Sequence, residues 1–211
     1  MYKLPHFTEN DEKKVYEFMQ KNSFAIITGM YEHFPVATHV PLQIKRENNK
    51  IIFTGHIMKD SDHYEAFLKN ENVLVIFTGP HCYVSANWYA IKNVASTWNY
   101  MDVQARGKIK FVDEEGTKTI IKSITNQYEQ ADSEASFNKL PIDYVDRMLK
   151  AIIGFNIEVE TVENVFKLSQ NKDEISKKQI IENLRKTNSY FAGEIANEMA
   201  LRTSPALRQA Q

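Results

Sequence analysis

The stretch VLVIFTGPHCYVSANWY (Val73–Tyr89), resumed after a short interval by VASTWNYMDVQARGKIKFV (Val94–Val112), holds both tryptophans and the only cysteine of the 211-residue chain. Val73–Thr78 is dense in β-branched and aromatic side chains and predicts a buried strand, which Gly79-Pro80 is expected to end in a turn. At the far end Val103, Ala105, Gly107, Ile109 and Phe111 alternate with Gln104, Arg106, Lys108 and Lys110, the two-residue period of a half-buried strand. Gly107 within it marks a bulge or a close backbone approach. Between the strands Tyr83, Trp88, Tyr89, Trp98 and Tyr100 offer flat faces with polar tips, and Ser85, Asn87, Ser96, Thr97 and Asn99 offer short donors and acceptors. That mixture suits the floor of a site for a planar, heteroatom-rich ligand; it suits the cap of a barrel equally well.

Moving toward the N-terminus, Thr8 and Asp11 open a helix in which Val15, Phe18 and Met19 recur at helical spacing up to Lys21-Asn22. Phe24–Met30, Val36–Lys45 and Ile51–Ile57 predict antiparallel strands, joined across 31–35 and 46–50. Asp60 or Ser61 caps a short helix reaching about Lys69. Toward the C-terminus, Ile120, Ile121, Ile124 and Tyr128 mark a helix after the Asp113–Gly116 turn, and Asp143–Ile152 another. Ile157, Val159 and Thr161 form a last strong strand, with Val165–Leu168 extending the sheet. After Lys172 come Ile175, Ile180, Ile181 and Leu184, then Phe191, Ile195 and Met199, two terminal helices broken near Asn183–Ser189, with a frayed end over Thr203–Gln211. The tally predicts a closed, mainly antiparallel barrel with flanking helices.

The length suits one domain with an appendage. A formal charge of −1 gives no overall basic footprint, so any DNA contact has to be local. The local excess lies in Lys167–Lys186, with six Lys/Arg against three Asp/Glu, which reads as a solvated helix face or as a DNA-contacting one. A lone Cys82 forms no internal disulfide, the N-terminus shows no signal-like apolar segment, and no apolar run nears the ~20 residues of a membrane span. The cytoplasm is the expected compartment, with no membrane partner. Six histidines without Cys-x-x-Cys or His-Glu-x-x-His spacing argue against a metal site, and no Walker, dinucleotide or nucleophile-elbow motif occurs.

Several spaced motifs carry a family resemblance: MYKLPHF at the start, ATHVPL (Ala37–Leu42), TGHIMK (Thr54–Lys59), FTGPHCYVSANWY (Phe77–Tyr89), STWNY (Ser96–Tyr100), AIIGFNIEVE (Ala151–Glu160) and FKLSQNK (Phe166–Lys172). In this order they resemble the PaiB-type family, negative transcriptional regulators on the FMN-binding split barrel. The resemblance implies an α+β, mainly β fold: a split β-barrel of FMN-binding type over residues 1–172, with flanking helices and a C-terminal helical extension over 173–211. It implies FMN as cofactor, a homodimer with the site where two barrels meet, and operator DNA as a partner in regulating sporulation and protease synthesis. Split-barrel relatives also include flavin-dependent oxidoreductases and haem binders, which stand as the alternative functions.

The resemblance also assigns residues. Thr54, His56, Lys59 and Ser61 fall where related barrels cradle the FMN phosphate at a strand-to-helix turn, and the same residue types serve equally as caps and surface charge. The family's Ala-Arg-Ala-Asn-like run is here Ile57-Met58-Lys59-Asp60-Ser61-Asp62, so a lysine point charge replaces the guanidinium fork and two aspartates add negative charge. Thr38 and His39 are placed beside the flavin ring, with a histidine bonded inside the barrel wall as the other reading. Ser96, Thr97, Trp98 and Asn99 complete the ring pocket, Ser96 standing where the family has Pro, and Ser169 and Gln170 reach toward the flavin across the dimer. No catalytic residue is assigned.

Overall fold

Why each predicted element forms is visible at its ends. In the computed structural model, which describes Met1 and residues 4–203, Ser61 accepts from the Tyr64 amide and starts α2 (Asp62–Lys69), and Asp113 accepts from the Gly116 amide and starts α3 (Glu114–Tyr128). The remaining helices are α1 (Glu12–Lys21), α4 (Ile142–Ala151), α5 (Glu174–Lys186) and α6 (Tyr190–Thr203). The strands are β1 (Phe24–Tyr31), β2 (Phe34–Pro41), β3 (Gln43–Glu47), β4 (Lys50–Met58), β5 (Asn72–Val84), β6 (Thr97–Phe111) and β7 (Ile152–Lys167). The frayed end expected after Thr203 lies outside the described residues.

The chain divides into two compact units, one made of Met19–Phe77 and Gln104–Val162, the other of the segments beginning at Met1, Thr78 and Glu163. The long strands β5, β6 and β7 each begin in one unit and end in the other. In the Met19–Phe77 unit the sheet runs in the order β2-β1-β5-β6-β7-β4-β3, with antiparallel pairing of β1 to β2 and β5, and of β4 to β3 and β7. Alternate residues face its core: Ala25 and Ile27 of β1, Val75 and Phe77 of β5, Phe155 and Ile157 of β7, and Phe53, whose ring meets Phe77 edge-on at 5.2 Å. Gly107 is the close approach and not a bulge site for conformation alone, because a Cβ there would lie 2.3 Å from the Glu158 carbonyl oxygen.

In the unit beginning at Met1, Phe18 packs on Phe166 with centroids 5.0 Å apart. Asp173 accepts from the Ser176 amide and hydroxyl and starts α5, and Ile180, Leu184, Ile195 and Met199 from α5 and α6 are fully buried. The sequence boundary at Lys172 falls within this unit.

Three strand expectations need correction. The run Val36–Lys45 forms two strands, because Leu42 turns inward at 2% exposure while its amide bonds to the Ser23 carbonyl at 2.9 Å. Burying that side chain is worth ~2 kcal/mol, and the diverted amide keeps its hydrogen bond. Gly79-Pro80 does not end β5, which continues to Val84. Gly79 serves packing there: a Cβ would stand 2.5 Å from the Phe18 ring. Finally, Ile152–Lys167 is one 16-residue strand and not two segments.

Candidate functional site

The residues singled out from sequence fall into two groups, one in each unit. In the Met19–Phe77 unit, β2 points Val36 and Val40 into the core and half-buried Thr38 with them, so exposed His39 projects from the opposite face. Its ring stacks on Phe24, with centroids 5.8 Å apart. Thr54 and His56 share a face of β4. The Thr54 hydroxyl donates to Asn156 Oδ1 at 2.8 Å, opposite it on β7. His56 lies opposite Gly154, where α3 approaches closely: the Gly154 amide donates to Thr117 Oγ1 at 2.9 Å, and a Cβ at Gly154 would lie 2.9 Å from Ile120. His56 Nδ1 is buried without a hydrogen-bond partner, and burial pulls the imidazole pKa below its ordinary value.

The turn after β4 uses its polar groups locally. The Lys59 amide donates to the Ala151 carbonyl at 2.9 Å, and its ammonium reaches the Leu149 carbonyl at 3.5 Å, at the C-terminal end of α4 where a cation is favoured. The Ser61 hydroxyl donates to the Met58 carbonyl at 2.8 Å besides capping α2. Of Thr54, His56, Lys59 and Ser61, the imidazole is the group with a buried atom left unpaired.

In the other unit the STWN segment opens β6, and alternation divides it. Ser96 Oγ accepts from the Ala86 amide at 2.9 Å, holding the tight turn Ala86–Trp88. Thr97 Oγ1 accepts from the Lys167 ammonium at 2.6 Å. Asn99 is fully buried, accepting from the Ser169 hydroxyl at 3.0 Å and donating to the Met199 sulfur at 3.5 Å. Trp98 projects from the opposite face at 54% exposure, edge-on to Tyr83 with centroids 6.0 Å apart. His81 extends that aromatic surface to Phe191, at 4.9 Å. Ser169 adopts a left-handed φ of 60°, and Gln170 braces the same turn, accepting from the Leu168 amide at 2.7 Å and donating to the Phe166 carbonyl. The structure therefore joins Asn99 to Ser169, sets Thr97 beside Lys167, and separates Trp98 from both.

Sequence reasoning missed Lys167, Lys172 and the role of Tyr89. The Lys172 ammonium lies 4.3 Å from the centroid of the Tyr89 ring, and the Lys167 ammonium 5.8 Å from that of Phe7. Burial, and then the charge of Lys172, lower the Lys167 pKa. Tyr89 is 2% exposed, its hydroxyl has no hydrogen-bond partner, and burial followed by Tyr83 raises its pKa. The signal lay in FKLSQNK, whose two lysines flank the serine and glutamine that drew attention. Elsewhere in this unit a cavity of about 130 Å³ between Leu168, Gln170, Lys177, Met199, Arg202 and Thr203 has both cations matched, Lys177 with Glu174 and Arg202 with Glu9, each at 2.6 Å. Cys82 is buried and its thiol is pushed up to about 11, which makes it a poor nucleophile. Among the described residues no three His, Cys, Asp or Glu side chains converge as metal ligands.

The fold is the mainly β, α+β split barrel also seen in flavin and haem proteins. The chain aligns with a flavocytochrome from Azotobacter vinelandii at a TM-score of 0.60 and 12% identity, covering 79% of this chain and 72% of the other. With an FAD and haem binding protein from Mycobacterium smegmatis the TM-score is 0.51 at 11% identity, over 76% and 73% of the two chains. At such identities the likeness shows the fold alone. Residues 1–161 match the family described as "Putative FMN-binding domain", and the chain is 32% identical over 200 residues to the protease synthase and sporulation protein PAI 2 of Bacillus subtilis, covering 94% of this chain and 96% of the relative. The chain belongs to this PaiB-type family of FMN-binding-domain proteins.

Proposed function

We propose that the protein binds FMN in a split-barrel site completed at a homodimer interface and acts in the cytoplasm as a negative transcriptional regulator of the sporulation and protease-synthesis type. The observation that carries this reading is the 32% identity with the Bacillus subtilis relative, which extends over 94% of this chain and 96% of that one. Each unit by itself offers groups that suit an anionic, planar ligand: in one, the buried imidazole of His56 with an unpaired Nδ1 and the ammonium of Lys59; in the other, the phenol of Tyr89, the exposed indole of Trp98 and the ammoniums of Lys167 and Lys172. When bound, FMN supplies a redox-active ring. In the unit that holds β4, His56 would offer the ring a hydrogen bond and Thr38 and His39 would serve it from the two faces of β2, with the Thr54–Asn156 pair and Ser61 as supports; in the other unit Trp98 would offer a stacking face, supported by the Asn99–Ser169 pair, Ser96 and Gln170.

DNA contact is assigned to the extension 173–211, whose helices α5 and α6 are docked by their apolar faces and present exposed Lys178, Arg185 and Lys186. No helix among the described residues is long and apolar enough to cross a membrane. The test is direct. The purified protein should show a flavin absorption band after incubation with FMN, sediment as a dimer, and retard a fragment of its own promoter less strongly as salt rises. A protein that binds FMN and turns over a reductant, yet ignores that promoter even with Arg185 and Lys186 intact, is the oxidoreductase instead; a haem band would mark the third class.

A further inference from the structure

In the Met19–Phe77 unit the face of β3, β4 and β7 that α3 covers is polar. Gln43 lies opposite Thr54 and Thr54 opposite Asn156, so the three stand in a row across the strands, with His56 two residues along β4 on the same face. All four are half-buried. A helix fixed on a sheet ordinarily buries apolar side chains between the two layers. Here Thr54 and Asn156 satisfy one another, and His56 Nδ1 is buried with nothing to bond to, a state that is costly and rare unless a ligand or ordered water meets the atom in another arrangement.

The two ends of α3 are held differently. Its start is fixed by the Asp113 cap and by Thr117, whose Oγ1 accepts from the Gly154 amide opposite His56, with Ile120 close against the same glycine. Toward its end a single side chain clasps it: the Gln43 amide nitrogen donates to Gln127 Oε1 at 3.1 Å, and its oxygen accepts from the Ser123 hydroxyl at 2.9 Å, one helical turn back. The apolar Ile121 goes instead to Phe137, Val145 and Leu149, a small core drawn from α3, α4 and the segment between them. Against the end of that core the Lys59 ammonium reaches the Leu149 carbonyl at 3.5 Å. The helix pair therefore has an apolar core of its own and polar seams toward the strands, and both its chain connections, at Thr117 and at Ala151, lie beside the start of β7. Polar seams exchange readily for water, and elements so held are drawn from the low-stability end of a fold.

We propose that residues 118–150 form a lid over the polar face of β3, β4 and β7, clasped shut by Gln43, and that lifting it opens His56, Thr54 and Asn156 to a ligand whose edge carries hydrogen-bonding heteroatoms. The inference rests on the flavin reading only in naming that ligand as FMN. With the lid down, the buried Nδ1 meets no ligand, so the rate of binding follows the fraction of molecules with the clasp undone.

The experiment places a thiol under the lid of the full-length protein with His56→Cys and follows its reaction with dithionitrobenzoate, which releases a coloured thiolate. Buried Cys82, which lies in the other unit, reports any wider opening in the same molecules. The introduced thiol should react far more slowly than in the urea-unfolded chain. Adding Gln43→Ala removes both hydrogen bonds of the clasp and should speed that reaction roughly threefold to tenfold while leaving Cys82 unchanged. Asn156→Cys, on the same face, repeats the measurement should the first variant not fold. Equal rates with and without Gln43→Ala would overturn the lid; so would an acceleration shared by Cys82, or a folded-state rate equal to that of the unfolded chain. FMN association, followed by flavin fluorescence, should quicken in Gln43→Ala by the same factor as the thiol. If the thiol answers to the clasp and no flavin binds, the lid stands and the flavin reading falls; if FMN binds wild type and Gln43→Ala at one rate and the thiol ignores the clasp, the flavin reading stands and the lid falls.

Discussion

The turn after β4 and the segment around Lys167 carry similar residue types, hydroxyls and lysines beside a histidine or tyrosine, and they use them differently. At the turn a strand feeds directly into α2 and packs against the end of α4, so amides and carbonyls without helical partners lie within reach of every polar side chain. Ser61 and Lys59 are consumed by that local demand. Around Lys167 the strand ends in a turn whose own backbone is served by Gln170, while the Lys167 ammonium donates to Thr97 and the Lys172 ammonium lies over the Tyr89 ring. A run of donors in sequence is thus a ligand site only where secondary structure has not already claimed them.

The comparison breaks most sharply at Asn99, which belongs to the second region but behaves like the first. It is fully buried and fully engaged, with Ser169 on one side and Met199 on the other. Asn99→Ala should cost about 3 kcal/mol, combining the lost hydrogen bond, a cavity and a Ser169 hydroxyl left unpaired. Urea unfolding measures it. A loss within experimental error of zero would mean the segment is not held together by this pair, and that Asn99 is free to meet a ligand.

A smaller effect tests the turn. Ser61→Ala removes the cap of α2 and should cost about 1 kcal/mol, read by urea unfolding. A variant as stable as the wild type would show that the hydroxyl is not consumed by the helix start, and would reverse the contrast between the regions.

Much of this was legible before any coordinates. The helix starts at Ser61 and Asp113 follow from residue type and spacing, and the alternation of Val103–Phe111 gave its strand directly. Less legible was anything set by a distant neighbour. Gly79-Pro80 has the composition of a turn, and only the Phe18 ring against it shows that the glycine is there for room. Leu42 reads as mid-strand because its amide goes to Ser23, nineteen residues earlier, a bond that no local pattern signals. The same limit governs the site. Ser96–Asn99 reads as a block, but from Thr97 onward its members belong to β6 and face alternate ways, so a period of two carried back from Val103 separates Trp98 from Thr97 and Asn99. Lys167 and Lys172 find their separate aromatic partners, Phe7 and Tyr89, on either side of a turn that puts a serine in the left-handed region, which residue preference does not foretell.

The smallest effect expected is the pH dependence contributed by His56, the one member of the turn group with an idle atom. Burial holds its pKa below the ordinary value of 6.5 in the folded protein, so the unfolded chain takes up the proton first as acid is added. The stability contributed by the neutral imidazole is therefore complete above pH 6.5, declines as the pH falls from there through the lower folded value, and changes no further once both states are protonated. His56→Gln should remove this component, so that wild type and variant differ in the slope of unfolding free energy against pH below neutrality and run parallel above it. Adding FMN sharpens the comparison. If Nδ1 meets the ligand, FMN should deepen the acid-side loss in the wild type, because protonating the imidazole then costs a bond as well as solvation, and should do nothing to the slope in His56→Gln. Parallel curves throughout, with and without FMN, would show that the imidazole is solvated after all and that the turn holds no unclaimed donor.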